Sequence, residues 1–341
     1  MNTPIYMVVD SGLFGGIERH ILALCELLQA QQMTPHVVFL QDHGNHYFYK
    51  KLQELSVPLH VLDGRFTTLT RFIKQHPDVV FHTHGYKAGI LTRLACLTLG
   101  RKCVSTYHAG DKGTGMVYYY NLVDKLTGHL STNFVVSKSL LKQVPNAEFM
   151  ANFLALSNNH KALNKPRTAQ PIRVAFIGRL SYEKGPDRFC EIAKTLSHNT
   201  ALEFHLYGDG PMLETLLQEY KEHAHFHGFS EASDAFTNAD LLVICSREEG
   251  LPMASLEALY YQVPTLTWQV GQLESVVITN QTGYIFERYE HNAFCQQITA
   301  FAALSYSQRE AFQAHCHAHL NKYFAGTQQL GQLKTKYQLA R

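Results

Sequence analysis

Residues 173–210 read RVAFIGRLSYEKGPDRFCEIAKTLSHNTALEFHLYGDG, and their alternation decides the fold. RVAFI is a short apolar run ending on glycine, the mark of a buried strand. DRFCEIAKTLSH spaces its apolar residues for a helix, and LEFHLY returns to a strand that again stops at glycine. Strand, helix and strand in that order predict a parallel pair joined by a right-handed crossover. The scheme continues through MLETLLQEYKEH, DLLVICS, LPMASLEALYYQ and PTLTW. Upstream the same alternation runs through IYMVVD, IERHILALCELLQAQ, HVVFLQ, YFYKKLQEL, PLHVLD, LTRFIKQH, DVVFHTHG, GILTRLACLTLG and KCVSTYH. The expectation is an α/β chain of two Rossmann-like doubly wound parallel-sheet domains. Ligands bind beyond the carboxyl ends of such strands, so two sheets facing each other predict a cleft lined by both sets of loops.

The polar stretch ALSNNHKALNKPRTAQP, with Pro166 and Pro171, reads as the connection. The expected division is a first domain over 1–160, a linker over 161–172 and a second domain over 173–320. A C-terminal helix over 321–341 is expected to cross back onto the first domain.

At 341 residues the chain is long enough for two domains, each with its own core. Hydrophobic content of 45% with 17% charged residues excludes a disordered chain. No apolar stretch reaches the length of a membrane span, and MNTPIYMVVDSG lacks the basic start of a signal peptide, so the expected location is cytoplasmic. Seven scattered cysteines without CxxC spacing read as reduced, mostly buried thiols. Residues 1–165 carry 16 Lys and Arg against 10 Asp and Glu, whereas 166–341 carry 14 against 18. Lys50, Lys51, Arg65, Arg71, Lys74, Lys87, Arg93, Arg101 and Lys102 therefore suggest a basic face on the first domain, for an anionic lipid headgroup or acceptor; a solvated surface is the competing reading.

The residues that carry chemistry fall at predicted strand ends. Arg179 and Lys184, in a loop bounded by Gly178 and Gly185, can converge two cations on a diphosphate leaving group. Gly208-Asp209-Gly210 ends the next strand. Glu249 and Glu257 stand eight residues apart in EEGLPMASLEAL. As a glycosidase pair they would have to sit about 5–10 Å apart, yet eight helical residues separate backbones by roughly 12 Å. Gly250, Leu251 and Pro252 suit a strand-to-helix turn that presents backbone amides to a ligand. Glu249 then accepts from sugar hydroxyls and Glu257 from a ribose diol. In the first half, Gly15-Gly16 between strand and helix lets backbone N–H groups approach an anion, with a plain tight turn as the alternative. The spacing is not GxGxxG, so Asp42 completes no dinucleotide fingerprint, and no P-loop occurs. His82 and His84 are expected on opposite faces of their strand. His108, at a strand end, can bond a sugar hydroxyl or act as acid or base, with chance placement among 20 histidines as its competitor. Tyr118, Tyr119 and Tyr120 either line an acceptor site or pack.

These motifs resemble the retaining, GT-B-fold enzymes of glycosyltransferase family 4. The resemblance runs from Gly15-Gly16-Ile17-Glu18 through HTHGYKAGILTRLA, TYHAG, VVSKS, IGRLSYEKG, YGDGP, HGFS and EEGLPMASLEAL to TGYIF, with the E-x7-E spacing of Glu249 and Glu257 its most specific piece. It implies an acceptor domain followed by a nucleotide-sugar donor domain. Arg179 and Lys184 would hold the donor diphosphate, Glu249 the donor sugar and Glu257 the ribose; backbone near Gly15 and Gly16 would approach phosphates or acceptor, and His108 would sit near the transferred sugar. It further implies a UDP- or GDP-sugar donor, no cofactor and no metal, and front-face transfer with retention. The acceptor would be a lipopolysaccharide, capsule or exopolysaccharide glycan or glycolipid, with peripheral contact at the inner membrane and no nucleic acid. A nucleotide-sugar epimerase or hydrolase, and a non-catalytic nucleotide-sugar binding protein, are the rival readings. The chain departs from the family at Ala151-Asn152-Phe153, where an Asn-Gly is usual, at Leu251-Pro252 in place of Phe-Gly, and at Val270-Gly271-Gln272-Leu273-Glu274, where a loop glycine is missing.

Overall fold

The computed structural model describes residues 3–12, 14–44, 46–108, 116–155 and 171–340. The chain forms two compact units, Met1–Ser157 with Gly326–Arg341, and Asn158–Ala325. Residues 321–325 are grouped with the second unit, and the helix that follows them with the first. Up to residue 170 the expected linker lies outside the described residues, and Ile172 already opens a strand.

In the first unit the strands are β1 (Ile5–Val9), β2 (Pro35–Phe39), β3 (Leu59–Val61), β4 (Val80–His84), β5 (Val104–Tyr107), β6 (Thr132–Val135) and β7 (Ala147–Phe149), in the order β3-β2-β1-β4-β5-β6-β7. Every pairing is parallel. All five residues of β1 are buried, as a strand covered by helices on both faces requires. Ile5, Met7 and Val9 meet Ile21, Leu24, Cys25 and Leu28 of the helix Gly16–Ala30, whose spacing draws one apolar stripe. Tyr6 and Val8 meet Leu69 and Ile73 on the opposite face. The helix Thr327–Leu339 belongs to this unit: Leu333 and Tyr337 enter the core beside Val104, Phe134 and Phe153. Phe153, where the sequence departs from the family that it resembles, is thus a core residue.

The second unit carries β8 (Ile172–Ile177), β9 (Leu202–Tyr207), β10 (His225–Phe226), β11 (Leu241–Val243), β12 (Thr265–Trp268) and β13 (Gly283–Phe286), ordered β10-β9-β8-β11-β12-β13. Counted within each unit, both sheets follow the doubly wound order, with a reversal between β1 and β4 and another between β8 and β11. At such a switch point adjacent connections leave in opposite directions and open a crevice, so each unit has one preferred place for a ligand. All seven cysteines are free and buried.

The expected basic face is partly internal. Arg93 is 1% exposed and donates to Asp124, Ser105 Oγ and Tyr107 Oη. Arg101 donates to the carbonyls of Ile73, His76, Pro77 and Val79, and Lys87 pairs with Asp10 at 2.8 Å. Arg93 satisfies buried acceptors that water cannot reach, and Arg101 and Lys87 spend their donors on partners within the same unit.

Candidate functional site

The loop leaving β8 passes Gly178 and exposed Arg179, makes one 3-10 turn at Tyr182–Lys184, and Pro186 then opens the helix Pro186–Thr195. Two glycines let it lie close to its neighbours. Gly185 takes φ +68°, and a Cβ there would stand 2.3 Å from the Cys245 carbonyl oxygen beyond β11. At Gly208, φ +147°, a Cβ would come within 1.8 Å of the Gly178 carbonyl oxygen. The ends of β8, β9 and β11 are consequently drawn together at the switch point.

Lys184 Nζ donates to both carboxylate oxygens of Glu249, at 2.8 Å each, and Ser246 Oγ donates to Oε1 at 2.7 Å. The Glu249 side chain is 5% exposed and that of Lys184 is 32% exposed. An ammonium has three N–H groups, so Lys184 keeps one for a ligand, and Glu249 Oε2 keeps lone-pair capacity for a hydroxyl. The sequence assigned Lys184 to a diphosphate and Glu249 to a sugar separately; the structure couples them.

A second contact fixes the turn. Arg247 grips Asp187 with two parallel bonds of 2.8 and 2.5 Å, donates to the Tyr182 carbonyl at 2.8 Å, and lies 4.0 Å over the Tyr182 ring. Burial alone would raise the Asp187 pKa, but the Arg247 guanidinium overrides it and holds the carboxyl below its usual range. Neither Arg247 nor Asp187 was singled out in the sequence. Their signal was present, an arginine just past one strand and an aspartate in the first turn of a helix.

The turn after Glu249 is held by Gln272 N–H, which donates to the Gly250 carbonyl at 2.8 Å, so the loop that lacks a family glycine still ties to it. Leu251, in this turn, is buried. Glu257 sits inside the helix Met253–Tyr260 and is 8% exposed.

The first unit's switch point gathers imidazoles. His82 and His84 share one face of β4, with ring centroids 4.4 Å apart, which corrects the expectation of opposite faces: neighbouring residues alternate across a strand, second neighbours do not. His82 bonds Thr106 Oγ1 at 2.7 Å and Tyr337 Oη at 3.0 Å. His84 Nδ1 and His108 Nε2 are 3.0 Å apart, and His20 Nδ1 lies 3.1 Å from Asn152 Oδ1. Among the described residues, His20, His84 and His108 form the one group of metal-ligating side chains whose atoms converge, all within 4.8 Å. Burial is the main force holding all four neutral: the His20 pKa falls to about 4, that of His82 to about 3, and those of His84 and His108 lie well below the ordinary value. His20 Nε2 and His84 Nε2 are buried without a hydrogen-bond partner.

Gly15 and Gly16 do open a helix, but the Gly15 N–H donates to Glu18 Oε2 at 2.7 Å. That donor, expected to face an anion, is occupied by a carboxylate of its own helix. Tyr118, Tyr119 and Tyr120 are 46%, 61% and 42% exposed; Tyr118 meets Tyr119 edge-on, and Tyr120 stacks on Tyr86.

The family profile described as Glycosyltransferase Family 4 matches residues 14–147, and the one described as Glycosyl transferases group 1 matches 158–315. O-antigen biosynthesis glycosyltransferase WbnH of Escherichia coli is 26% identical over 212 residues, 60% of this chain and 62% of that protein. The chain thus spans about three fifths of that relative's length. UDP-Gal:alpha-D-GlcNAc-diphosphoundecaprenol alpha-1,3-galactosyltransferase of Escherichia coli is 23% identical over 325 residues, 83% of each chain. Among solved structures, Anabaena HepE in complex with UDP and glucose matches with a TM-score of 0.78 at 14% identity, covering 98% of this chain and 99% of that one. A glycosyltransferase from Rickettsia africae matches at 0.73 and 16% identity, covering 98% of each. Two profiles that take up one unit each, on two sheets of the same doubly wound order, leave one conclusion: the chain belongs to glycosyltransferase family 4 and has the GT-B fold.

Proposed function

We propose that the chain is a retaining hexosyltransferase, which moves a hexose or N-acetylhexosamine from a UDP- or GDP-sugar to a cell-surface glycan acceptor without a metal ion. The observation that carries this reading is the Lys184–Glu249 pair, a cation and a carboxylate held at the switch point with donor and acceptor capacity to spare. Arg179, exposed on the same loop, and Lys184 stabilise the negative charge that grows on the departing diphosphate, which lowers the barrier only because the charge is larger in the transition state. Glu249 orients the sugar through a hydroxyl, and Glu257 takes the ribose. In the first unit, His108 offers a neutral imidazole to an acceptor hydroxyl, and the unpartnered nitrogens of His20 and His84 favour a hydroxyl-bearing ligand beside it. The relatives lend the substrate class: one acts in O-antigen biosynthesis, and another transfers galactose from UDP-Gal to a sugar on diphosphoundecaprenol.

The test offers the full chain a panel of UDP- and GDP-sugars, with a lipid-diphosphate-linked glycan and a chelator, and follows nucleoside diphosphate release and the product's anomeric configuration by NMR. Acceptor-dependent release from one donor, with the configuration kept, is expected. Release without acceptor would turn the reading to a hydrolase, and an inverted product or no turnover would refute it.

A further inference from the structure

The first unit's switch point holds imidazole nitrogens that nothing in the unit satisfies. His20 in the helix Gly16–Ala30, His84 at the end of β4 and His108 just past β5 converge from three elements, with ring centroids 4.8, 5.3 and 5.7 Å apart. An amide oxygen only accepts, so His20 Nδ1–H donates to Asn152 Oδ1, and Nε2 of the neutral ring keeps its lone pair. That nitrogen is buried without a hydrogen-bond partner, and so is Nε2 of His84. His82 spends both of its nitrogens on Thr106 and Tyr337 and stands outside the group. Buried polar atoms are ordinarily paired, so two unpartnered nitrogens in one place point to a ligand.

The donor set decides which. Three imidazoles with no carboxylate or thiolate among them suit a borderline divalent ion such as zinc; magnesium and calcium take oxygen ligands. A tetrahedral zinc ion with bonds of about 2.0–2.1 Å holds its nitrogens about 3.4 Å apart. His84 Nδ1 and His108 Nε2 stand at 3.0 Å, and one nitrogen from each of the three rings lies within 4.8 Å of the others. Rotation of the rings within their broad χ2 wells closes the remainder. Burial keeps all three rings neutral, so an arriving ion finds no imidazolium to deprotonate. Asn152 fixes the tautomer and the orientation of His20, as an outer partner does at a metal centre. His108, the one ring of the three that is only half-buried, gives an ion its way in, and three protein ligands leave a fourth position open.

We propose that His20, His84 and His108 form a binding site for a single divalent ion of the zinc class, and that the ion closes the pocket to the acceptor. Sugar transfer needs no ion in the function proposed above. The ion competes there, because it takes the nitrogens that would otherwise meet a hydroxyl. This second half rests on that function; the site itself stands on the geometry alone.

Titration of the full chain with Co2+, after removal of bound metal by a chelator and of the chelator by dialysis, tests the site. The visible bands of a four-coordinate cobalt ion are expected to grow to one equivalent and to be erased by Zn2+ but not by Mg2+. His108→Gln, at the half-buried ring, is expected to weaken binding at least about a hundredfold, and Asn152→Ala, which frees the His20 ring but removes no ligand, about tenfold. Circular dichroism checks that each variant is folded, and the parent's spectrum decides the matter where one is not. Absence of a four-coordinate spectrum at one equivalent overturns the site. So does a spectrum unchanged in both variants, which would place the ion on others of the 20 histidines. For the second half, Zn2+ is expected to raise KM for the acceptor and leave KM for the donor unchanged; inhibition that competes with the donor, or none with the ion bound, overturns it. Absence of turnover with every donor would refute the function and this second half with it, whereas the cobalt spectrum reads the site without any turnover.

Discussion

Lys184→Met is expected to lower kcat/KM for nucleotide-sugar turnover by about two to three orders of magnitude, equivalent to roughly 3–4 kcal/mol of transition-state stabilisation. The same change strips Glu249, whose side chain is 5% exposed, of its cation, while the Ser246 Oγ–H still donates to it. A nearly buried carboxylate without its partner costs about 1–3 kcal/mol of stability, visible as a lower denaturation midpoint. The double variant Lys184→Met/Glu249→Gln removes the stranded charge. It should recover much of the midpoint while the rate stays low, since the cation that faces the diphosphate does not return. A double variant that regains the rate along with the stability would show that Lys184 acts only by holding the fold, and an unchanged rate in Lys184→Met would remove it from the site.

The second large effect is on acid stability. His20 and His82 are buried and neutral, with pKa values brought down to about 4 and about 3 by desolvation. In the unfolded chain both return to about 6.5, so between that value and the folded one the unfolded state binds more protons. Stability is therefore complete above about pH 6.5 and drains away as the pH falls towards 4, by about 3 kcal/mol for each group. Two such groups in one unit compare with the whole stability of a domain, about 5–15 kcal/mol. Urea denaturation of the full chain at about pH 7 and about pH 4.5, followed by circular dichroism, should show that loss. Trp268, the sole tryptophan, lies in the second unit, so its fluorescence reports that unit separately. His82→Gln keeps a side chain able to hydrogen-bond Thr106 and Tyr337 but takes up no proton, and should be less stable at neutral pH yet flatter towards acid. Equal acid sensitivity in the variant and the parent would contradict the assignment.

The sheets were legible because strands covered on both faces are rich in apolar residues: β1 and β11 are unbroken apolar runs, and β8 and β9 are interrupted by single polar or charged positions. The strands that escaped notice have physical reasons. β10 is two residues long, and β6 opens on Thr132 and Asn133, whose amide is spent on the Gly128 and Pro145 carbonyls rather than on solvent. In the site, residue types and strand-end positions were readable, since glycine, cation and carboxylate each do something there that few other side chains can. Pairing was not. Lys184 and Glu249 are 65 residues apart, and only the fold reveals that they spend their charges on each other. Basic residues likewise read as surface until Arg93 is found inside, gripping Asp124.

Titration of the full chain with UDP and with GDP, in the presence of a chelator, and again after Arg179→Ala, tests the donor site most directly. One of the two diphosphates is expected to bind the parent protein, and the loss of Arg179 to weaken it at least about tenfold, as the removal of a charge-assisted contact should. Absence of binding by either diphosphate at about 1 mM, a concentration that would detect even an interaction near −4 kcal/mol, would contradict a nucleotide-sugar site at this switch point.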